Sequence, residues 1–270
     1  MEILQERSNT EMFLSRVVWD PGLRPFHRHE KLEVIVPLEK PIEVYSHGEW
    51  RTANCGDVSV IAEGDIHAFR VEEETPLLLG QFPYRILLEG GELPRGVAPL
   101  ITTCELTAIP SLPEQVSAIF TAALPERRVM IGERGPVLQG LFTALYFLLS
   151  RHFPLKAEVT EKRTQRDLAA AVTYINEHFT EDITATGVAA ALYTDRGRLS
   201  RLFSNIAGVS LPEYIRTLRL SRAVKLLDSG ATVTAAALES GFQSVRTFHE
   251  VYRRVDGRPP KRRESKDSET

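Results

Sequence analysis

A two-fold internal similarity in the C-terminal half constrains the fold more than any other feature of the sequence. Four positions of the first copy, Asp195, Leu199, Phe203 and Gly208, recur 49 residues later as Ser244, Phe248, Tyr252 and Gly257. In each copy a helix rich in small residues, 184–192 and then 232–239, leads through a tight turn into a second helix. Asp195 and Ser244 are good N-caps, because their side-chain oxygens accept hydrogen bonds from the free amides of a helix's first turn. The pattern predicts two helix-turn-helix units.

A long helix is predicted between the two copies, over residues 211–229. Ser210 and Glu213 form a capping box at its start, and Pro212 lies in its first turn. Such a helix is about 28 Å long at 1.5 Å per residue. This length is close to the ~34 Å between successive major-groove faces of DNA. One chain can therefore present both second helices to neighbouring turns of one duplex.

Charge is distributed unevenly along the chain. The formal net charge of −3, taken for the whole chain, argues against a nucleic-acid partner. Residues 1–160, however, carry 15 Lys/Arg against 22 Asp/Glu, whereas residues 161–263 carry 17 against 11. The C-terminal half is therefore basic, and it is the half expected to bind an anionic partner.

The side chains expected to point outward from the two second helices are the candidate DNA contacts. Arginine suits this task, because its guanidinium binds the two acceptors of guanine or two phosphate oxygens. The candidates are Arg196, Arg198, Ser200 and Arg201 in the first copy, and Val245, Arg246, Thr247, His249, Glu250, Arg253 and Arg254 in the second.

These motifs resemble the AraC/XylS family of bacterial transcription regulators over about 100 residues, 164–263. The resemblance rests on the run Arg198–Phe203 with Gly208, on Tyr214 and Arg219 in the long helix, and on the second copy's Gly241-Phe242, Phe248 and Pro260. It implies that six residues lie at positions that read bases: Gly197, Ser200 and Arg201 in the first copy, and Val245, Arg246 and Glu250 in the second. It also implies double-stranded promoter DNA and a small-molecule effector as partners, a homodimer, and RNA polymerase as a partner if the protein activates.

The N-terminal half alternates short β-rich runs with turn residues. The runs are 33–37, 42–45, 58–61, 68–71 and 77–82. This spacing predicts an antiparallel barrel or sandwich. A helix with an apolar stripe follows over residues 136–153. That stripe has two interpretations, a cover over the barrel or a dimerisation surface.

A group of histidines marks the N-terminal half as a candidate ligand site. His27, His29 and Glu33 have the spacing HxHx3E, and His67 follows 34 residues after Glu33. On one strand, His27, His29 and Glu33 would share a face. The spacing resembles the cupin signature, in which three histidines and a glutamate bind a divalent metal.

Three interpretations of this group remain open. The four residues hold Fe, Mn, Ni or Zn, or they hydrogen-bond a polar ligand such as a sugar with Tyr45, Trp50 or Tyr84 as apolar walls. Alternatively they are barrel residues satisfied by each other and by water. Apart from such a metal, no cofactor is expected.

The sequence carries few features that indicate the cellular compartment. The first 18 residues lack a secretory signal, and no apolar stretch reaches the roughly 20 residues that span a bilayer, so a cytoplasmic protein without membrane contact is expected. The two cysteines, Cys55 and Cys104, fit a reducing interior and are expected to be small core residues.

The sequence as a whole predicts an α+β, multi-domain protein. A cupin-like sensor β-barrel over 1–112 would precede a helical dimerisation segment (113–155), a linker (156–163), an AraC-type double helix-turn-helix domain (164–263) and a disordered tail (264–270). The expected function is a DNA-binding transcription regulator without catalytic activity, responsive to an effector. The alternatives are a metal-dependent cupin oxygenase or isomerase with a nucleic-acid tether, and a DNA-binding regulator that needs no ligand.

Overall fold

The chain divides into two compact units, Met1–Glu161 and Lys162–Thr270. The computed structural model describes residues 12–83, 96–125, 135–155, 163–256 and 259–260. Most of the predicted linker, the predicted tail, Tyr84 and Gly257 therefore lie outside the described residues. Within the described part of the chain, no helix combines the length and hydropathy needed to cross a membrane.

The N-terminal unit is built on nine strands in its described residues. They are β1 (Phe13–Trp19), β2 (Gly22–His27), β3 (Lys31–Pro37), β4 (Ile42–Ser46), β5 (Glu49–Ala53), β6 (Val58–Ile61), β7 (His67–Val71), β8 (Thr75–Pro83) and β9 (Leu100–Ile101). Every described strand pair is antiparallel. The antiparallel β architecture is confirmed, and four strands that the sequence pattern missed, β1, β2, β5 and β9, complete it.

The strands form two separate sheets and do not close into a barrel, which corrects the predicted β-barrel. One sheet has the order β1-β8-β3-β6-β9 and the other the order β2-β7-β4-β5. The chain passes from one sheet to the other between His27, the last residue of β2, and Lys31, the first of β3. Since β2 pairs with β7 and β3 pairs with β6 and β8, no hydrogen-bonded ladder joins β2 to β3.

The inner strands of the five-stranded sheet are buried on both faces. Every residue of β3 and of β8 is buried. Ile35, Leu77 and Leu79 belong to an apolar core shared with residues of the four-stranded sheet. Val34 and Leu78, which point to the opposite face, belong to a second core that includes the helices of this unit. Burial on both faces explains why β8 reads as a continuous apolar run, Pro76–Gly80, without polar alternation.

The described residues of the N-terminal unit also form three helices: α1 (Thr103–Thr107), α2 (Leu112–Ala123) and α3 (Gly135–His152). The predicted apolar stripe of α3 packs on the five-stranded sheet, where Phe142 stacks on Phe82 with ring centroids 4.4 Å apart. The helix thus covers a sheet, and dimerisation through it stays a prediction. Cys55 and Cys104 are both exposed, so the expectation that they lie in the core was wrong.

The C-terminal unit is helical throughout its regular elements. Its helices are α4 (Arg163–His178), α5 (Ala185–Ala191), α6 (Arg196–Leu202), α7 (Leu211–Asp228), α8 (Val233–Glu239) and α9 (Val245–Asp256), and a π-helical turn, Phe203–Ala207, extends α6. With that turn, α6 reaches the same length as α9. The helix pairs α5–α6 and α8–α9 are the two predicted helix-turn-helix units, which are confirmed.

Two glycine substitutions test the packing of α3 on the sheet. A Cβ at Gly80 would lie 3.0 Å from Phe142 and 3.1 Å from Leu14, whereas a Cβ at Gly140 of α3 would meet nothing within 4 Å. We expect Gly80→Ala to lower the free energy of unfolding by about 1–3 kcal/mol through overpacking. Gly140→Ala, at an exposed helix position, should raise it by about 0.5–1 kcal/mol. Urea denaturation measures both, and the same sign for the two variants would contradict this packing.

Candidate DNA-binding surface and histidine cluster

The first helix-turn-helix unit is fixed at both helix starts by side-chain caps. Thr184 caps α5, with its hydroxyl accepting from the Gly187 amide at 3.1 Å. Asp195 caps α6, with Oδ1 accepting from the Arg198 amide at 2.7 Å. Gly208, in the left-handed region at φ 67°, ends the π-helical turn. The predicted N-cap at Asp195 is therefore confirmed.

The second unit repeats this construction. Thr232 caps α8 by accepting from the Ala235 amide at 3.2 Å, and the Ser244 hydroxyl accepts from the Thr247 amide at 3.1 Å. Between the helices Gly241 has φ 87°, and a Cβ there would lie 2.7 Å from the Thr180 backbone. Only glycine fits this turn, because its conformation and the close approach of the chain after α4 both exclude a side chain.

Each second helix buries one face and exposes the other. In α6 and its extension, Leu199 and Phe203 are buried, and Phe203 contacts the buried Tyr214 of α7 at 5.1 Å between ring centroids. In α9, Phe248 and Tyr252 are buried. The polar side chains therefore face outward. Of the candidates, Arg196, Ser200, Arg201, Arg246, Thr247, Glu250, Arg253 and Arg254 are exposed, and Arg198, Val245 and His249 are partly buried.

Arg198 differs from the other arginines of α6. Its guanidinium forms an ion pair with Asp167 of α4. It therefore joins α6 to α4 within the unit. Asp167 lies 31 residues away in the sequence, so no local pattern revealed this pair.

Arg246 and Glu250 form an ion pair along the exposed face of α9. Arg246 Nε lies 3.2 Å from Glu250 Oε1, and the two side chains are 90% and 58% exposed. A pair so exposed to water contributes little to stability. It does hold the two side chains in one orientation on the surface expected to meet DNA.

The N-terminal unit brings His27, His29, Glu33 and His67 together. One ligand atom from each residue lies within 4.8 Å of those of the other three. The predicted convergence occurs, but not along one strand. His27 ends β2, His29 lies in the connection, Glu33 is on β3 and His67 begins β7. We call these four residues the histidine cluster. A register irregularity in β2 between Arg24 and His27, typical of a β-bulge, sets the position of His27 opposite His67.

All three histidines are oriented by backbone carbonyls. Nδ1 of His27 lies 2.8 Å from the Pro25 oxygen, Nδ1 of His29 lies 3.0 Å from the Lys31 oxygen, and Nδ1 of His67 lies 2.9 Å from the Asp65 oxygen. A carbonyl oxygen only accepts, so each Nδ1 is the donor. In the neutral ring Nε2 then carries the lone pair that is available to a ligand.

Glu33 is the charged centre of the cluster and is fully buried. Burial alone would raise its pKa, but the hydrogen bond to His29 and the positive charge of the nearby His67 and His29 outweigh burial and hold the pKa well below its usual range. Burial lowers the pKa of His67, but its contact with Glu33 prevails and the pKa is raised. Burial, followed by the nearby His67, lowers the pKa of His27 to about 3. Glu33 is therefore ionised, and a proton shared among the neighbouring histidines compensates part of its negative charge.

Two polar atoms of the cluster lack a hydrogen-bond partner, namely Glu33 Oε1 and His67 Nε2. Glu33 Oε2, by contrast, lies 2.7 Å from His29 Nε2 and 3.7 Å from His67 Nε2. An unpartnered carboxylate oxygen and an unpartnered nitrogen in a buried site are costly unless a bound group satisfies them.

Gln81 of β8 is a fifth member of the site that the sequence analysis missed. Its side-chain nitrogen lies 2.7 Å from Glu33 Oε2 and 3.2 Å from His29 Nε2. Glu33 and Gln81 are directly paired across β3 and β8. The detectable signal was a polar residue at the end of an otherwise apolar run, Pro76–Gly80, which is an unusual place for an amide side chain.

Tyr45 and Trp50 are not brought to the histidine cluster. Tyr45 pairs with Ala68, the neighbour of His67, and therefore lies on the opposite face of the four-stranded sheet. There Tyr45 packs against Phe26 and Trp50, with ring centroids 4.9 and 5.6 Å apart. These aromatic residues form a separate cluster.

Comparison with known proteins bears on the C-terminal unit in particular. Residues 188–264 match a family model described as a helix-turn-helix domain. An uncharacterised HTH-type transcriptional regulator from Staphylococcus aureus is 19% identical over 243 residues, covering 89% of this chain and 32% of the relative. The chain thus spans about a third of the length of the first curated relatives it matches.

Two further proteins are similar over part of the chain. The HTH-type regulator YbfI from Bacillus subtilis is 28% identical over 126 residues, 46% of each chain. The crystal structure of a regulator with an AraC-type DNA-binding domain, from Chromobacterium violaceum, is 28% identical and covers 36% of this chain and 88% of its own, with a TM-score of 0.34. The resemblance inferred from the repeat is confirmed for the C-terminal unit.

We expect Gln81→Leu to lower the free energy of unfolding by about 1–3 kcal/mol, because the buried Glu33 carboxylate loses a donor. Urea denaturation of the full chain measures the change. In a Glu33→Leu background the same substitution should cost clearly less, since the carboxylate is absent. An equal cost in both backgrounds would contradict the role assigned to the Glu33–Gln81 hydrogen bond.

Proposed function

We propose that the chain is a transcription regulator that recognises a specific promoter sequence, because residues 188–264 match a helix-turn-helix domain and resemble the AraC type. The observation that carries the proposal is the pair of second helices, α6 and α9. Each exposes arginines on one face while its other face is buried in the unit. A helix built in this way fits the major groove, where the residues of its first turns meet base edges.

Arg201 and Arg246 are the two arginines that we assign to base edges. Both are exposed, and each guanidinium can donate to O6 and N7 of one guanine. Glu250 can accept from the amino group of cytosine. On binding DNA, Arg246 and Glu250 would replace their ion pair with each other, which water screens in the free protein, by contacts to bases. Arg253 and Arg254 lie farther along α9, and we assign them to phosphates.

The proposed partners follow from this activity. The first is double-stranded promoter DNA, and RNA polymerase is a partner if the protein activates transcription. A second copy of the chain is proposed as well, which sedimentation of the purified protein would test. Such a regulator acts in the compartment that contains the chromosome, in keeping with the cytoplasmic location expected from the sequence.

We further propose that the histidine cluster binds one divalent transition metal ion. The ligands would be His27, His29, Glu33 and His67, a set of imidazole and carboxylate groups that suits Fe, Mn, Ni or Zn. Three features support the fit: the ligand atoms lie within 4.8 Å of one another, the Nδ1 contacts leave Nε2 of His27 and of His67 available, and Glu33 Oε1 and His67 Nε2 have no partner. Nε2 of His29 is engaged by Glu33 Oε2 at 2.7 Å and would exchange that contact for the ion. Carbonyl contacts at the other imidazole nitrogen are typical of histidine ligands.

A metal suits this site better than a polar ligand such as a sugar. Four groups that lie so close together enclose space for an ion but not for a sugar ring among them. The aromatic walls expected for a sugar, Tyr45 and Trp50, lie on the other face of the sheet. When bound, the ion supplies positive charge that connects both sheets, because Glu33 belongs to one sheet and His27 and His67 to the other.

We propose that this ion serves sensing rather than catalysis. An effector changes a regulator by binding one arrangement more tightly than another. Glu33 and His67 are fully buried, and the His29 side chain is 18% exposed. Turnover of an added substrate by the metal-loaded protein would favour the alternative of a cupin oxygenase or isomerase.

The DNA-binding proposal is tested by replacing arginines one at a time. We expect Arg201→Ala to weaken binding of the protein to its operator by about 1–3 kcal/mol, because the guanidinium that donates to a guanine in the major groove is lost. Arg198→Ala should weaken binding less, since Arg198 is already paired with Asp167. Fluorescence anisotropy measures the affinity, with an operator selected from a random duplex library. The exposed Arg151 on α3 provides the control, and Arg151→Ala should leave affinity unchanged. Absence of any selected sequence would refute sequence-specific recognition.

The metal proposal is tested by equilibrium dialysis against Zn²⁺, Ni²⁺, Mn²⁺ and Fe²⁺. We expect one ion per chain. Glu33→Gln and His67→Ala should each weaken metal binding at least about tenfold. Removal of a group that only hydrogen-bonds a metal ligand already weakens binding by about tenfold or more, and removal of the ligand itself should weaken it further. His152→Ala, which alters an exposed histidine outside the cluster, is the matched control. Circular dichroism verifies folding of each variant. Equal metal binding by all four proteins, or none by the unaltered chain, would refute the site.

A further inference from the structure

Tyr193, in the turn between α5 and α6, has an unusual conformation. Its φ is 51°, in the left-handed region, and it is 100% exposed. For a non-glycine residue this conformation costs roughly 1–2 kcal/mol, and tyrosine lacks the short polar side chain with which Asn and Asp compensate. A strained backbone that carries a large exposed ring requires an explanation.

The second helix-turn-helix unit shows what this turn requires. Tyr193 donates from its amide to Ala190, and Thr194 donates to Ala189, at 3.1 and 2.9 Å. The second unit has the same pair of bonds, from Gly241 to Leu238 and from Phe242 to Ala237, at 3.0 and 3.1 Å. Tyr193 thus occupies the position that glycine occupies in the other copy. Glycine would satisfy the turn without strain.

The tyrosine ring contributes nothing visible to the folding of the unit. Its full exposure means that it buries no apolar surface in the free protein. At Gly241 the Thr180 backbone forbids a side chain, whereas at Tyr193 the side chain projects into solvent. The ring is therefore placed where a molecule outside the unit can meet it, at a conformational cost to the turn.

The surroundings of Tyr193 favour an anionic contact. It lies two residues before Asp195, the cap of α6, and Arg196 and Arg201 of that helix are exposed. The Asp195 carboxylate is already engaged by the Arg198 amide. If α6 enters the major groove, residues just before it lie beside the DNA backbone that borders the groove. Tyrosine hydroxyls are among the groups that donate to phosphates and fix the register of a protein on DNA.

We propose that Tyr193 is a positioning contact that donates a hydrogen bond from its hydroxyl to a DNA phosphate beside the groove bound by α6. The inference rests on the proposed DNA-binding function and adds a contact to it. A neutral donor has a distinctive signature. It contributes affinity without releasing a counterion, so its loss lowers affinity at every salt concentration by the same factor.

The test compares Tyr193→Phe and Tyr193→Gly in the full chain, with a mixed-sequence duplex as the probe because phosphate contacts do not depend on sequence. Affinity is measured from about 50 to 200 mM salt. We expect both variants to bind about tenfold more weakly, with the slope of log affinity against log salt unchanged. Arg253→Ala, which removes an arginine assigned to a phosphate, should instead reduce that slope. Tyr193→Gly should unfold at the same or a higher temperature, which separates lost contact from lost stability.

Tyr174→Phe provides the control, since the Tyr174 ring packs on His178 of the same helix with centroids 4.5 Å apart. It should bind like the unaltered chain. If Tyr193→Phe also binds DNA like the unaltered chain, the phosphate contact is refuted. That result is expected if the Tyr193 ring contacts another protein and not DNA. If the unaltered chain itself fails to bind duplex DNA, the proposed function fails rather than the role of Tyr193.

Discussion

Burial of β3 and β8 on both faces is the constraint around which the N-terminal unit is organised. Strands with apolar side chains on both sides cannot face water, so one face meets the four-stranded sheet and the other meets α2 and α3. Gly80 allows Phe142 to approach β8, and this close contact fixes α3 on the sheet. The same two strands carry Glu33 and Gln81 inward as a directly bonded pair. The histidine cluster therefore lies in a position where its charge must be compensated from within.

The C-terminal unit depends on a different principle, the repetition of locally encoded turns. Each helix start is capped by a side chain three residues before the amide that it accepts from, and each turn needs one left-handed residue. Packing differentiates the two copies. Arg198 is drawn into a pair with Asp167, whereas Arg246 stays on the surface with Glu250. Tyr193 and Gly241 both adopt the left-handed conformation that the turn requires, but only the tyrosine does so at a cost in conformational free energy. The two helix-turn-helix units thus share a construction, but they expose different side chains on the surfaces proposed to meet DNA.

The helical half was predictable from sequence because its signals are local. Caps at Asp195 and Ser244, the apolar faces of α6 and α9, and the capped start of α7 all involve residues within a few positions of each other. The β half was predictable only in part. Its antiparallel character followed from turn spacing, but β1, β2, β5 and β9 escaped detection. The spacing allowed a barrel or a sandwich, and the closed barrel expected for the sensor was wrong, because the strands form two sheets. Sheet closure depends on pairing between distant strands, such as β1 with β8, and no short pattern encodes that pairing.

The sequence by itself determined the helix-turn-helix repeat, the basic character of the half that contains it, and the four residues of the histidine cluster. Only the tertiary structure decided how those four residues meet. They converge because the chain crosses between two sheets at His29, not because they share one strand face. The structure alone also added Gln81, separated Tyr45 and Trp50 from the site, engaged Arg198 and left Tyr193 in solvent. Each of these outcomes depends on contacts between residues distant in sequence or on which surface the packing leaves uncovered, and local propensity carries no information about either.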